Sequence, residues 1–201
     1  MKTRKSVVVG IACGLMAPLL WSAGAAHADP VVPPSGWSET AFIDAAVAQG
    51  VPADVAKRGW SDPSLIAQIP VSSSLESSPE QSGASDGSPA SSYSAWCSYT
   101  KSNAFGQTLA RLQVDSSWTA EGAAITGVDT TIETEVGWGW AFQGLPYTHD
   151  GYSAAYENPR GAHTADRWGN FTWGPDGDAT TLKVAITSLA LGSHDCSSQE
   201  N

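Results

Sequence analysis

Cysteine is scarce. The chain has three in 201 residues, and Cys13 falls in the apolar N-terminal stretch, which leaves Cys97 and Cys196. Two cysteines are too few for a Cys-rich zinc module, and if they bridge each other no thiolate remains for nucleophilic or metal chemistry. Basic charge is also short: ten Lys and Arg stand against twenty Asp and Glu, and three of the ten lie within the first five residues. From Asp29 onward, seven basic residues face twenty acidic ones, a net charge of −13. A phosphate backbone is bound chiefly by Lys and Arg displacing counterions, so nucleic acid is excluded as a partner. The local signatures of zincins, dinucleotide-binding turns and Walker loops are missing as well.

What is present begins with export. Lys2, Arg4 and Lys5 precede an apolar stretch from Val7 to Leu20, followed by small residues ending in Ala26-His27-Ala28. These are the parts of a secretory signal peptide, with cleavage expected after Ala28. The apolar stretch falls short of the roughly 20 residues of a spanning helix, and Asp29 rather than a cysteine follows the cleavage point, so no membrane or lipid anchor is expected. The expected location is extracellular, where a Cys97–Cys196 disulfide is stable.

The chain then divides into a short helical segment (29–71), a Ser/Gly/Pro-rich disordered linker (72–92), a disulfide-closed β domain (93–196) and a C-terminal tail (197–201). In the first, Ser38 can cap a helix carrying Phe42, Ile43, Ala46 and Val47 that ends at Gly50. Pro52 suits the first turn of a second helix ending at Gly59, and Asp62-Pro63 starts a third. The linker holds no apolar pattern, leaving Leu75 exposed. From Tyr93 the period changes to two. Ala110, Leu112, Val114 and Trp118 alternate with polar residues, and Val128 to Phe142 reads as one long strand, bent at Gly137 or Gly139, with Trp138 and Trp140 on its core face. Tyr147 to Gly161 reads as a loop with a short strand around Ala154-Ala155-Tyr156, and Thr164–Trp173 and Thr180–Leu191 as a hairpin around Pro175-Asp176-Gly177-Asp178. Six or seven strands predict an antiparallel β-sandwich, with a small β-barrel as the alternative.

Three constellations could carry chemistry. Glu133 and Glu135 line the polar face of the long strand, as paired carboxylates do in many glycosidases, although a solvated strand face looks the same. His149, His163 and His194 each have an acid nearby but lack ligand spacing, so no metal or other cofactor is expected. Tryptophan is the stronger signal, because the six indoles of the β region, Trp96, Trp118, Trp138, Trp140, Trp168 and Trp173, exceed what one small core can hold. Trp96 and Trp168 stand on the opposite parity from Cys97 and Phe171, which predicts surface rings. Asp166, Asn170 and Thr172 share the Trp168 face and could hydrogen-bond a sugar stacked on the ring.

The layout of signal, Ser/Pro-rich linker and aromatic-rich β domain with a cysteine near each end is similar to that of exported cellulose-binding modules. The tryptophan spacing of those modules is not reproduced, so no binding residues transfer from them. The expected function is an exported, non-catalytic binding domain for a glycan or cell-wall surface. The alternatives are an inhibitor or protein-partner-binding protein acting through residues 36–70, and a glycoside hydrolase using Glu133 and Glu135. Oligomeric state is not legible. Export should yield a chain beginning at Asp29, which N-terminal sequencing and intact mass will check; a secreted product still carrying Met1 refutes the signal assignment.

Overall fold

The computed structural model describes residues 36–80, 90–152, 160–174 and 177–200. The expected signal segment, the centre of the linker, the short strand expected around Ala154-Ala155-Tyr156 and the Pro175-Asp176 part of the hairpin turn lie outside them. Three short helices come first: α1 (Glu39–Ala48), α2 (Ala53–Ser61) and α3 (Pro63–Ile66). The Ser38 hydroxyl accepts from the Ala41 amide at 3.2 Å, and the Asp62 carboxylate accepts from the Ser64 amide at 2.8 Å. Each cap satisfies an amide that a helix start leaves without an internal partner. Gly59, expected to end α2, lies inside it. A Cβ there would come within 2.0 Å of the Ile69 side chain, so the glycine serves close packing rather than termination.

Eight strands follow: β1 (Ser72–Ser77), β2 (Ala90–Ser102), β3 (Thr108–Glu121), β4 (Ala124–Val136), β5 (Trp140–Tyr152), β6 (Ala162–Trp173), β7 (Asp178–Leu189) and β8 (His194–Glu200). They form two four-stranded antiparallel sheets, β1-β2-β3-β4 and β5-β6-β7-β8, so the fold is an all-β sandwich rather than a barrel. Along β3 and β7 buried and half-buried residues alternate, and Leu112 and Val114 share one core with Leu182, Val184 and Ile186. Phe42, Ala46, Ile66 and Ile69 belong to the same core, so the helical segment docks on the sandwich. Its backbone is tied there too: Trp140 Nε1 donates to the Gln68 carbonyl at 2.9 Å and Asn103 Nδ2 to the Ala67 carbonyl at 2.8 Å.

Lys101 completes that seam. Its side chain is only 1% exposed, pairs with Glu200 and donates to the Gln49 carbonyl at 3.1 Å. Burial pushes its pKa down, opposed by the hydrogen bond and charge of Glu200.

Several sequence expectations need correction. Ser72–Ser77, read as linker, is an edge strand paired to β2 from Ser72↔Ser102 to Ser77↔Cys97, and β2 itself begins at Ala90. Backbone hydrogen bonds, which any side chain permits, decide this stretch. All its side chains are exposed, Leu75 included. The long strand from Val128 to Phe142 is two strands in different sheets. Gly137 donates its amide to the Leu109 carbonyl at 2.8 Å, where a Cβ would lie 2.3 Å from the Thr108 carbonyl oxygen, and Gly139 turns the chain at φ +77°. The two-residue period does not survive that turn. Trp140 is buried and stacked on Trp173 at 5.6 Å, whereas Trp138, expected in the core, is 68% exposed. Tyr147–Tyr152 continues β5 instead of looping, and residues 197–200 belong to β8 instead of a tail.

Cys97 of β2 and Cys196 of β8 are disulfide-bonded, with Cα atoms 5.7 Å apart, and join the two sheets. Their separation of 99 residues makes this a long loop. Replacing both cysteines by alanine should therefore cost up to about 4.7 kcal/mol on the chain-entropy argument. Urea denaturation of wild-type and double-variant protein measures it, and equal midpoints would contradict the assignment.

Candidate functional site

Strand β6 alternates strictly. Ala165, Arg167, Gly169, Phe171 and Trp173 are buried, while Thr164, Asp166, Trp168, Asn170 and Thr172 point outward and are half-buried. The antiparallel registers extend those outward positions into rows across the sheet. Tyr147, Trp168, Lys183 and Gln199 stand opposite one another on β5, β6, β7 and β8, and His149, Asp166, Ala185 and Ser197 form the next row.

Three neighbours hold Trp168. Its Nε1 donates to Asp166 Oδ1 at 3.1 Å, the Tyr147 ring lies 4.5 Å from it between centroids, and Lys183 Nζ sits 4.1 Å from its ring centre. Lys183 is only 9% exposed and donates to Gln199 Oε1 at 3.4 Å. The ammonium is therefore covered, and the half-buried indole contacts both it and the more exposed Tyr147 ring. A cation–π contact with a desolvated lysine is a firm fixing for the ring. Beside it lies a shallow depression of about 210 Å³ lined by Asp166, Trp168, Lys183, Ala185, Ser197 and Gln199. The small Ala185 side chain gives it depth. Farther along β6, Thr181 donates to Asn170 Oδ1 at 2.8 Å, and Gln143 Nε2 donates to Thr172 Oγ1 at 2.8 Å. Those two bonds order the polar groups without burying them.

Asp166, Trp168, Asn170 and Thr172 thus share one face. Trp96 does not join them: it pairs in register with Asp115, on the outward face of the other sheet, and its backbone bonds Ser78. The sandwich separates the two rings. Tyr147, Lys183, Ala185 and Gln199 escaped the sequence reading because they come from three other strands, and only register brings them together.

The carboxylate pair has a different setting. Glu133 and Glu135 are exposed and face Arg111 at 3.9 and 3.4 Å. The pair therefore lies on an open strand face beside a cation, with no apolar pocket around it among the described residues.

The histidines separate as well. His149 lies on the outer face next to Tyr147, while His163 and His194 occupy one inner row with Ser188 between them. Ser188 Oγ meets Ser116 Oγ of the facing sheet at 3.0 Å, and His194 Nε2 lies 3.4 Å from Ser78 Oγ. The Nδ1 atoms of both buried rings have no hydrogen-bond partner. Among the described residues no group of three or more His, Cys, Asp or Glu is placed to hold a metal ion. Nearby, Arg167 is buried and grips both oxygens of Asp150 at 2.8 Å.

Burial holds the His163 pKa below its ordinary 6.5; the charge of Asp150 opposes this, and those of Arg167 and His149 add to it. A histidine kept neutral in the fold contributes stability above its unfolded pKa and loses it as pH falls toward the lowered folded value. Denaturation midpoints should fall between about pH 7 and about pH 5, and His163→Gln should flatten that slope. An unchanged slope in the variant would remove His163 from the account.

In comparisons with protein families, curated proteins and solved structures, nothing matches this chain.

Proposed function

We propose that the protein is an exported, non-catalytic glycan-binding domain that takes a sugar on the outer face of the β5–β8 sheet, with Trp168 as the stacking ring. The observation that carries this reading is an indole fixed by Asp166, Tyr147 and Lys183 that stays partly exposed beside a small polar depression. A pyranose presents an apolar C–H face and a hydroxyl edge. Here the ring would meet the first, and Asp166, Ser197 and Gln199 the second. An immobilised aromatic ring loses little conformational entropy on binding, which favours recognition of a weakly held ligand.

The two rival readings have less support. The helical segment directs Phe42, Ala46, Ile66 and Ile69 into the core, which leaves Val47 as its one large apolar residue exposed among the described residues. Glu133 and Glu135 lie exposed on an open strand face against Arg111, and no cleft of the described residues encloses a scissile bond between them.

Pull-down with insoluble cellulose, chitin and peptidoglycan tests the proposal. Trp168→Ala should weaken retention by about tenfold, near 1–2 kcal/mol for one aromatic contact, with the circular dichroism spectrum unchanged. Ala185→Leu, which fills the depression, should weaken it too, and Glu133→Gln should not. Wild-type protein that binds none of the three polymers, or Trp168→Ala protein that binds like wild type, would sink the reading.

A further inference from the structure

The disulfide has a neighbour four residues farther along both of its strands. Cys97 and Lys101 stand on β2, Cys196 and Glu200 on β8, and Lys101 Nζ pairs with Glu200 Oε1 from sheet to sheet as the two sulfurs do. Four strand residues set the two contacts about 13 Å apart. The amine is shut in: the Lys101 side chain is buried, and it also donates to the Gln49 carbonyl at 3.1 Å. Two hydroxyls hold the carboxyl group besides. Thr180 Oγ1 donates to Oε1 at 3.4 Å, and the Tyr99 hydroxyl donates to Oε2 at 3.5 Å. Lys101, Glu200, Thr180 and Trp173 line a cavity of about 260 Å³ that Gln49 and Pro52 of the helical segment close from the other side.

Two charges held out of water carry a desolvation cost that their attraction does not reliably repay. Burial already pushes the Lys101 pKa down, against the hydrogen bond and charge of Glu200, and so favours the neutral amine, which is the nucleophilic form. An amide in the same place would carry no charge to desolvate. Forming one requires an amine fixed against an acyl group with competing water kept out. The fold meets that requirement by bringing the two side chains together from facing sheets in a buried seam, which turns an encounter between two groups into a step within one molecule.

From this contact we propose that Lys101 and Glu200 are a self-modification site, where the two side chains condense into an isopeptide bond between Nζ and Cδ with loss of one water. One ammonium proton passes to Glu200 Oε1, leaving a neutral amine and a carboxylic acid. The nitrogen lone pair forms the N–C bond at Cδ, and negative charge gathers on Oε2, where the Tyr99 hydroxyl donates. A second nitrogen proton then moves to Oε1, Oε2 returns to a carbonyl, the Cδ–Oε1 bond breaks, and Oε1 leaves as water into the adjoining cavity. Nothing is oxidised or reduced, and no co-reactant enters. The product joins the two sheets a second time, through a bond that thiols do not cleave. It stands independently of the glycan reading.

Mass spectrometry of the purified protein after disulfide reduction tests this, with the first residue fixed by N-terminal sequencing. The wild-type chain should be one water lighter than its sequence, whereas Lys101→Arg and Glu200→Ala chains should have their full sequence masses. A variant that failed to fold would also lack the bond, so the wild-type digest decides. Trypsin should not cut after Lys101, and the reduced digest should contain Gly59–Arg111 joined to Val184–Asn201, with fragmentation placing the link at Lys101 and Glu200. A reduced wild-type chain at its full sequence mass that trypsin cuts after Lys101 overturns the proposal. A loss of water traced to any other residues overturns it as well.

Discussion

The two sheets are joined by a single passage of the chain, at Gly137-Trp138-Gly139, and the architecture depends on that crossing. Strands β1 to β4 follow one another in one sheet and β5 to β8 in the other. Each sheet is therefore a meander whose registers are set by its own turns, and nothing in the strand pairing aligns one sheet with the other. Alignment comes from the crossing, from the Cys97–Cys196 bridge and from the shared core. The crossing admits only glycine at two of its three positions, and the residue that follows it, Trp140, is stacked on Trp173 and hydrogen-bonded to the Gln68 carbonyl. The same few residues thus orient the sheets and receive the helical segment.

That segment has no core of its own, as expected of a short stretch with few large apolar side chains. It is held by apolar residues that enter the sandwich core and by Lys101, which gathers the end of α1, strand β2 and the last strand at one ammonium. Burying a lysine costs solvation, and only a close carboxylate with further hydrogen bonds offsets that. Glu200 and the Gln49 carbonyl supply both. The contacting residues come from positions 49, 101 and 200, so the node forms only when the chain has folded as a whole.

Much of the fold was legible wherever a local period decided it. The alternation in β6 and β7 placed Phe171, Leu182, Val184 and Ile186 inward, the polar caps located the starts of α1 and α3, and the sparse cysteines indicated their own pairing. The sequence reading failed where a contact from elsewhere in the chain took over. Trp138 follows the core parity of β4 in sequence, yet Gly139 adopts a positive φ and the period restarts on the other side. Gly59 looks like a helix stop because Ile69, ten residues on, is invisible to a local pattern. The surface around Trp168 was half legible. Residues on β6 could be assigned to one face by parity, whereas Tyr147, Lys183 and Gln199 join them only through registers that no single strand encodes, and Trp96 has the right parity on the wrong sheet.

Strand β1 carries a consequence of a different kind. An unpaired sheet edge offers amides and carbonyls to any neighbouring chain, and exposed edges of apolar character are where β proteins adhere to one another. Here the outermost strand of its sheet is Ser-Ser-Ser-Leu-Glu-Ser, six residues long and exposed on both faces. A second molecule adding to that edge would bury hydroxyls and one carboxylate while covering a single leucine, so the hydrogen bonds it made would gain almost no hydrophobic support. The serine run therefore acts as a colloidal terminator: it completes the backbone pairing of β2 and gives the next molecule almost nothing apolar to cover.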